Sequence, residues 1–325
     1  MSAGGPMSEN KIVLIKRKTR LEELVVRYNT VQQAQFYIER LGADFSDYVS
    51  EDFIYRKAVE TAVIELSAVG RVQLLERQHV PNFIFGDEDT VVVLGQDGLV
   101  ANTLKYLHEQ PLIGVNPDPQ RWDGVLLPFT ARDLRLLLPE VFRRRRGVRE
   151  VTLAKAELND GQSLYGVGDL FIGRKTHVSA RYLLQHSGTA EQQSSSGIIV
   201  STGLGSTGWL RSVLAGAAGI TRSAAGMGLA VPEAASGLSV ADAEGRLAWD
   251  HPHLYFTVRE PFPSRTTAAG LVFGQIGSKQ PLRITSQMPE DGVIFSDGVE
   301  SDFLEFNSGV EAVISLAEKK GRLVV

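Results

Sequence analysis

Apolar and polar positions follow two different rhythms along the chain. In the first part, short apolar runs separate longer amphipathic stretches. Lys11–Ile15 (KIVLI), Val72–Leu75, Thr90–Leu94 (TVVVL) and Leu112–Val115 (LIGV) have the length and composition of buried strands. Between them, Leu21, Leu24, Val25, Tyr28, Val31, Phe36, Tyr37 and Leu41 recur near helical spacing and predict one long helix over Arg20–Leu41. Tyr55–Val69 predicts a second helix, ended by Gly70, and Leu99–Glu109 a third. Wholly apolar strands alternating with helices predict a parallel sheet with helices on both faces.

The rhythm changes after Arg143–Arg146. Short alternating segments rich in Gly and Ser follow: Thr152–Leu158, Ser163–Val167, Leu170–Ile172, Ala180–Gln185 and Gly197–Ser201. Leu254–Arg259, Leu271–Phe273, Leu282–Thr285, Gly292–Phe295, Phe303–Phe306 and Ala312–Ser315 continue the pattern. Ser206–Ala218 is the one helix among them, and the Ala/Gly-rich stretch Ala215–Ser239 reads as its end followed by a loop. The expected fold is therefore an α/β N-terminal domain (parallel sheet with helices on both faces) plus a β-rich C-terminal domain. The expected divisions are 1–10 as a disordered or expression-derived start with Met7 a candidate native start, 11–147, and 148–325. The last strand of the second domain is free to return to the first. No repeat of solenoid period is present.

Composition narrows the function classes. Of 325 residues, 43% are hydrophobic and 22% charged, which fits a globular chain. The absence of cysteine excludes disulfides, thiolate metal sites and a cysteine nucleophile. With 34 basic against 38 acidic residues, no overall basic field attracts nucleic acid. No apolar run approaches the roughly 20 residues of a membrane span, and the N-terminus has no signal-peptide core. The expectation is a cytoplasmic protein whose partners are small molecules rather than nucleic acid or membrane. The six histidines show no metal-ligand spacing, and His251 and His253 read as surface loop residues.

Four segments offer chemistry. Gly95-Gln96-Asp97-Gly98 lies between an apolar strand and a helix, where ligands bind in parallel α/β sheets. Glycines there admit phosphate oxygens to backbone amides. Asp97 suits a magnesium ligand or an acceptor of a hydroxyl proton; its plain alternative is a helix N-cap. Gly114-Val115-Asn116-Pro117-Asp118-Pro119 follows the next strand, with Asn116 and Asp118 placed for turn hydrogen bonds or to face the same ligand. Ser194 to Trp209 reads strand, Gly/Ser/Thr turn, helix, and contains G-x-G-x-x-G at Gly203, Gly205 and Gly208. A dinucleotide-fold fingerprint is a rival there, but no strand ending in an acidic residue follows about 20 residues on. The plain alternative is a glycine-rich turn with Ser206 as N-cap. Gly168-Asp169-Leu170-Phe171-Ile172-Gly173 places an acid before an apolar strand, where it could accept ribose hydroxyls; taken alone it reads as a turn aspartate.

Taken in order, these segments resemble the NAD kinase family, most of all its mitochondrial type. Gly95–Gly98 is similar to the family's Gly-Gly-Asp-Gly turn. Gly114–Gly124 resembles a loop of the mitochondrial-type enzymes. Gly168–Gly173 resembles the Asn-Asp/Glu site, and Ser195–Trp209 the Thr-Gly-x-Gly-Ser segment ending in tryptophan. The match runs over Val91–Ser212 and continues more weakly through Ser296-Asp297-Gly298. The resemblance implies transfer of the terminal phosphoryl group of ATP, or of polyphosphate, to the 2′-hydroxyl of the adenosine ribose of NAD, with Mg2+. It implies Asp97 as catalytic base or charge stabiliser. It implies nucleotide contacts by Gly95, Gly98, Asn116, Asp118, Asp169, Ser196, Gly205, Ser206, Thr207, Gly208, Trp209 and Ser212, and a homodimer. Such transfer needs mainly positioning and charge stabilisation, so no cysteine or activated histidine is required.

Three positions depart from the pattern. Gln96 replaces the second glycine of the turn and is expected either to crowd a phosphate or to need a φ that Gln disfavours. Leu99 replaces a threonine, and Gly168 an asparagine. They leave open a nucleotide-binding relative without turnover, or a kinase of this fold with a sugar or lipid acceptor. Two basic runs remain. Arg143–Arg146 reads as a solvated helix end, with a phosphate-polymer contact as the alternative. Lys16-Arg17-Lys18-Thr19-Arg20, at a strand's carboxyl end, is a candidate for triphosphate binding.

Overall fold

The computed structural model describes residues 10–227, 247–299 and 302–325. They form two compact units. One holds the described residues up to Arg149 together with Arg322–Val325, and the other Glu150–Gly321.

The first unit is built on four parallel strands in the order β2-β1-β3-β4. These are β1 (Lys11–Lys16), β2 (Arg71–Glu76), β3 (Thr90–Leu94) and β4 (Leu112–Val115). The helices are α1 (Arg20–Tyr28), α2 (Val31–Arg40), α3 (Ser46–Ser67), α4 (Asp97–Leu104) and α5 (Leu134–Phe142). Strand alternation divides the apolar residues between the two faces. Ile12, Leu14, Val92, Leu94, Ile113 and Val115 pack with Tyr55, Ala62 and Leu66 of α3 and with Leu134, Leu137 and Leu138 of α5. Val13, Ile15, Val91 and Val93 point the other way and are equally buried. Near the chain's end, Leu323 pairs in parallel with Leu112 of β4.

The expected single helix over Arg20–Leu41 is two. Asn29 adopts the left-handed conformation (φ 67°) and ends α1, and the Thr30 hydroxyl accepts the Gln33 amide at 3.1 Å to start α2. α3 begins at Ser46, nine residues before the expected Tyr55. Asp44 accepts the amide and hydroxyl of Ser46, each at 2.8 Å. The added turns bury Glu51 and Asp52, acids that a hydrophobic pattern does not register. α4 starts at Asp97 and stops at Leu104, short of the expected Glu109.

The second unit is two antiparallel sheets face to face. One contains β5 (Val148–Leu158), β6 (Ser163–Gly166), β8 (Ala180–His186), β9 (Thr189–Ser195), β13 (Leu282–Ser286) and β16 (Glu311–Val324, whose last residues belong to the first unit). The other runs β12-β11-β10-β7-β14-β15, with β7 (Asp169–Arg174), β10 (Ile198–Ser201), β11 (Leu254–Val258), β12 (Phe273–Ile276), β14 (Gly292–Ser296) and β15 (Phe303–Glu305). Tyr182, Leu184, Ile284 and Ile314 of the first sheet meet Leu170, Ile172, Val200, Phe256 and Ile294 of the second in one core. Phe171, Ile199 and Val293 alternate to the outer face and pack against Trp209 and Val213 of α6 (Trp209–Gly226).

The sequence pattern missed β9. Thr189–Ser195 (TAEQQSS) has hardly an apolar residue, yet pairs with β8 residue by residue. It buries Gln193 by bonding its side chain to the Leu271 carbonyl at 3.0 Å. α6 begins at Trp209, not near Ser206, and runs to Gly226 rather than Ala218. The loop expected in the rest of Ala215–Ser239 falls from 228 onward outside the described residues. His251 is buried, not a surface residue; its ring lies 5.7 Å from Tyr255. No helix among the described residues is long and apolar enough to cross a membrane.

Candidate functional site

In the first unit the turn after β3 is held from three directions. The Tyr55 hydroxyl donates to the Leu94 carbonyl and accepts the Arg17 amide, each at 2.9 Å, and so ties the carboxyl ends of β3 and β1 together. Burial pushes the Tyr55 phenol up to about 12, against the nearby Arg17 charge. Gln96 takes an ordinary extended conformation (φ −122°, ψ 162°), so the strain expected of it does not arise. Asp97 is the first helical residue, so the alternative that made it the N-cap is replaced by Gln96 in that position. Its Oδ1 accepts the Leu126 amide at 2.8 Å, while Oδ2 has no partner among the described residues. The carboxylate is only half-buried. Leu99 packs over Gly95, where an added Cβ would lie 2.9 Å from its Cδ2. Gly98 is exposed, and a Cβ there would meet nothing within 4 Å, so its bareness serves no packing within the protein.

Asn116 and Asp118 organise the loop that delivers Leu126. Asn116 is buried; its Nδ2 donates to the Trp122 carbonyl at 2.9 Å and its Oδ1 accepts the Asp118 amide at 3.0 Å. Asp118 accepts the Gln120 amide at 3.3 Å and lies 3.5 Å from Arg121. Both side chains thus do the turn work that was the plainer expectation for them. The loop can reach the Asp97 turn because β4 carries a glycine. A Cβ on Gly114 would sit 1.9 Å from the Leu126 carbonyl oxygen. Gly114→Ala is therefore expected to displace the residue whose amide fixes Asp97, and to lower stability by about 1–3 kcal/mol in urea melts.

The basic run after β1 is largely engaged. Lys16 pairs with Glu76 at 2.5 Å and Arg17 with Glu51 at 2.8 Å. Arg20 contacts Glu51 and lies 2.7 Å from Asp47, which Arg121 also reaches at 2.7 Å. Bonds from Arg121 and then Arg20 hold the Asp47 carboxyl down at about 2. Burial pushes Glu51 up, but Arg17 and Arg20 outweigh it and leave the carboxyl below its usual range. Lys18 alone of the run is exposed, and its ammonium has no partner among the described residues. Of Arg143–Arg146, Arg143 pairs with Glu140 at 3.1 Å, and the Arg146 guanidinium donates to the Val325 carbonyl at 2.7 Å.

The second unit supplies a different cluster at one end of β7 and β10, where Asp169 and Ser201 are paired in register. The Ser201 hydroxyl donates to Asp169 Oδ1. Burial raises the Asp169 carboxyl to about 7; the Ser201 bond opposes this, and the charge of Asp297 adds to it. Asp297 accepts the consecutive amides of Val167 (3.0 Å), Gly168 (2.6 Å) and Asp169 (3.2 Å), which fixes the bend carrying Asp169. Thr202 donates its hydroxyl to the Val167 carbonyl at 2.6 Å and accepts the Gly205 amide at 3.2 Å. Gly205 must be bare, because a Cβ would lie 2.1 Å from the Gly168 carbonyl oxygen and 3.0 Å from Asp169 Oδ1. Gly168 has room for little more, with Asp297 Oδ1 at 3.3 Å from its Cβ position.

Thr207 and Gly208 are exposed beside this cluster, at the start of α6. Trp209 stacks on Phe171 at 5.7 Å with Arg259 5.4 Å from its ring centroid. Ser212 bonds back to the Gly208 carbonyl at 3.2 Å. Ser206 is buried and accepts the Leu247 amide at 3.1 Å; it caps no helix. Ser196 is not part of this cluster. It precedes β10, beside the bend at Gly197 (φ 105°), at the end of that strand away from Ser201. Asp297 was not assigned a role from the sequence, although the Asp-Gly pair after the apolar run at Gly292–Phe295 was its signal.

No family model matches the chain. It is 25% identical to mitochondrial NAD kinase 2 of Rattus norvegicus over 258 residues, covering 64% of this chain and 61% of that protein. It is 28% identical to the human protein of that name over 131 residues, 38% of this chain and 30% of the relative. The chain thus spans about three fifths of the rat protein's length at most. An NAD kinase from Archaeoglobus fulgidus, solved in complex with ATP, superposes with a TM-score of 0.55 at 16% identity, over 97% of this chain and 93% of that one. Yeast NADH kinase complexed with NADH gives 0.54 at 15% identity, over 98% and 84%. The fold is that of the NAD kinases, an α/β N-terminal domain followed by a β-rich domain. Within that class, the sequence is similar to the mitochondrial type.

Proposed function

We propose that this protein is an NAD kinase-like phosphotransferase, converting NAD and ATP to NADP and ADP. The observation that carries the reading is Asp97, a carboxylate at a strand's carboxyl end with Oδ1 anchored by Leu126 and Oδ2 free. In this reading Oδ2 takes the proton of the adenosine 2′-hydroxyl as that oxygen attacks the terminal phosphorus of ATP. The bond from that phosphorus to the bridging oxygen breaks, and ADP leaves. Gly98, bare and exposed, leaves the turn open to phosphate oxygens. In the second unit, Asp169 accepts ribose hydroxyls, and Thr207 and the first amides of α6 meet the dinucleotide.

Among the described residues no group of three or more acids or histidines is placed to cage a metal. That suits magnesium, which is commonly held by one or two carboxylates, substrate phosphates and water. With Asp97 Oδ2 serving as the proton acceptor, substrate phosphates and water would hold the ion, which would neutralise charge on the transferring group. Magnesium dependence, a homodimer and a cytoplasmic location complete the proposal; chelation, light scattering and cell fractionation test them. The central test couples product to an NADP-specific dehydrogenase after incubation with NAD, ATP and magnesium. NADP well above an Asp97→Asn control is the expected result, and none above it would remove the reading.

A further inference from the structure

A groove of about 620 Å³ lies on the first unit, between α3 and the segments that follow β4. That volume falls within the ordinary range of small-molecule sites. One wall is a stripe on α3, with Phe53, Lys57 and Thr61 spaced four residues apart and so on one helix face. The other wall is Asn116–Gln120 and Thr130–Arg132. Its chemistry is unlike that of its surroundings. Arg17, Arg20, Arg56 and Arg121 are each ion-paired to carboxylates. Lys57 and Arg132 are exposed and have no partner among the described residues. The one carboxylate in the wall, Asp118, is engaged by Arg121 and the Gln120 amide. Phe53 presents 68% of its surface to solvent in the same groove, with Ile54, Ala58 and Pro117 as an apolar floor.

We propose that this groove binds a nucleoside polyphosphate, the base lying on the Phe53 ring and the phosphates between Lys57 and Arg132. An aromatic face rewards a flat base, and two uncompensated cations reward a multiply charged chain. Arg132 also offers a planar fork for two phosphate oxygens. A simple anion would leave the ring uncovered, and an uncharged aromatic would leave both cations unmatched. The site is separate from the Asp97 turn and does not depend on the function proposed above.

The test is photolabelling of the full chain with 8-azido-ATP, followed by peptide mapping. Label is expected on the peptide spanning Ser46–Ser67 and is displaced by unmodified ATP. Lys57→Ala/Arg132→Ala, both surface changes, is expected to cut that label at least tenfold. Phe53→Leu, which keeps an apolar side chain but no ring, is expected to lower ATP competition at this peptide while leaving competition by inorganic tripolyphosphate unchanged. An Asp97→Asn variant keeps the label, so loss of turnover and loss of this site are read apart. Label absent from Ser46–Ser67, or unaltered in the double variant, overturns the proposal.

Discussion

Asp97→Asn is expected to lower kcat for NADP formation by about 10²–10⁴-fold while leaving the KM for ATP and NAD near the parent values. The substitution separates two jobs of one side chain. An asparagine oxygen still accepts the Leu126 amide, so the loop and the turn stay in place. What disappears is the free carboxylate oxygen, replaced by an NH₂ that accepts no proton. Asp97→Ala removes both and is expected to add a stability loss of about 1–3 kcal/mol, because the Leu126 amide then has no partner. Steady-state kinetics of the two variants, with melts of each, distinguish the roles. A kcat for Asp97→Asn within threefold of the parent would remove Asp97 from the chemistry.

The sheet of the first unit was legible because its strands are unbroken apolar runs, and β3 was read residue for residue. Its helices were less so. The Asn29-Thr30 break looks polar in any periodicity, and only the left-handed Asn29 together with the Thr30 cap turns one helix into two. The first turns of α3 were hidden for the opposite reason, since Glu51 and Asp52 are buried by ion pairing and hydrogen bonding rather than by apolarity. Glycines marked the bends. Gly95, Gly98, Gly205 and Gly208 lie at turns beside Asp97 or Asp169, and at Gly205 the close approach of the Gly168 backbone is the reason. Side-chain roles within those bends left no trace in sequence. Nothing in Asn116, Asp118 or Ser206 distinguishes a residue that meets a ligand from one that pins its own loop. Asp297 acts on a segment about 130 residues away, beyond any local pattern.

Asp169 should make the protein's stability fall as pH rises through neutrality. Burial, aided by the Asp297 charge and opposed by Ser201, lifts its carboxyl from near 3.8 to about 7. Between those two values the folded chain keeps a proton that the unfolded chain has lost, so stability declines as pH rises across the window. Above pH 7 the whole penalty stands, on the order of 4 kcal/mol for a shift of this size. Asp169→Asn has no charge to bury and can still accept the Ser201 hydroxyl. It is expected to match the parent below about pH 4 and to exceed it in urea-melt stability at pH 8. Dinucleotide binding should move the other way. A carboxylate is the better acceptor for ribose hydroxyls, so the variant is expected to bind NAD at least tenfold more weakly at pH 8 by calorimetry. Parallel stability profiles for parent and variant between pH 5 and 8 would show that Asp169 is already ionised in the free protein. The penalty assigned to it would then be absent.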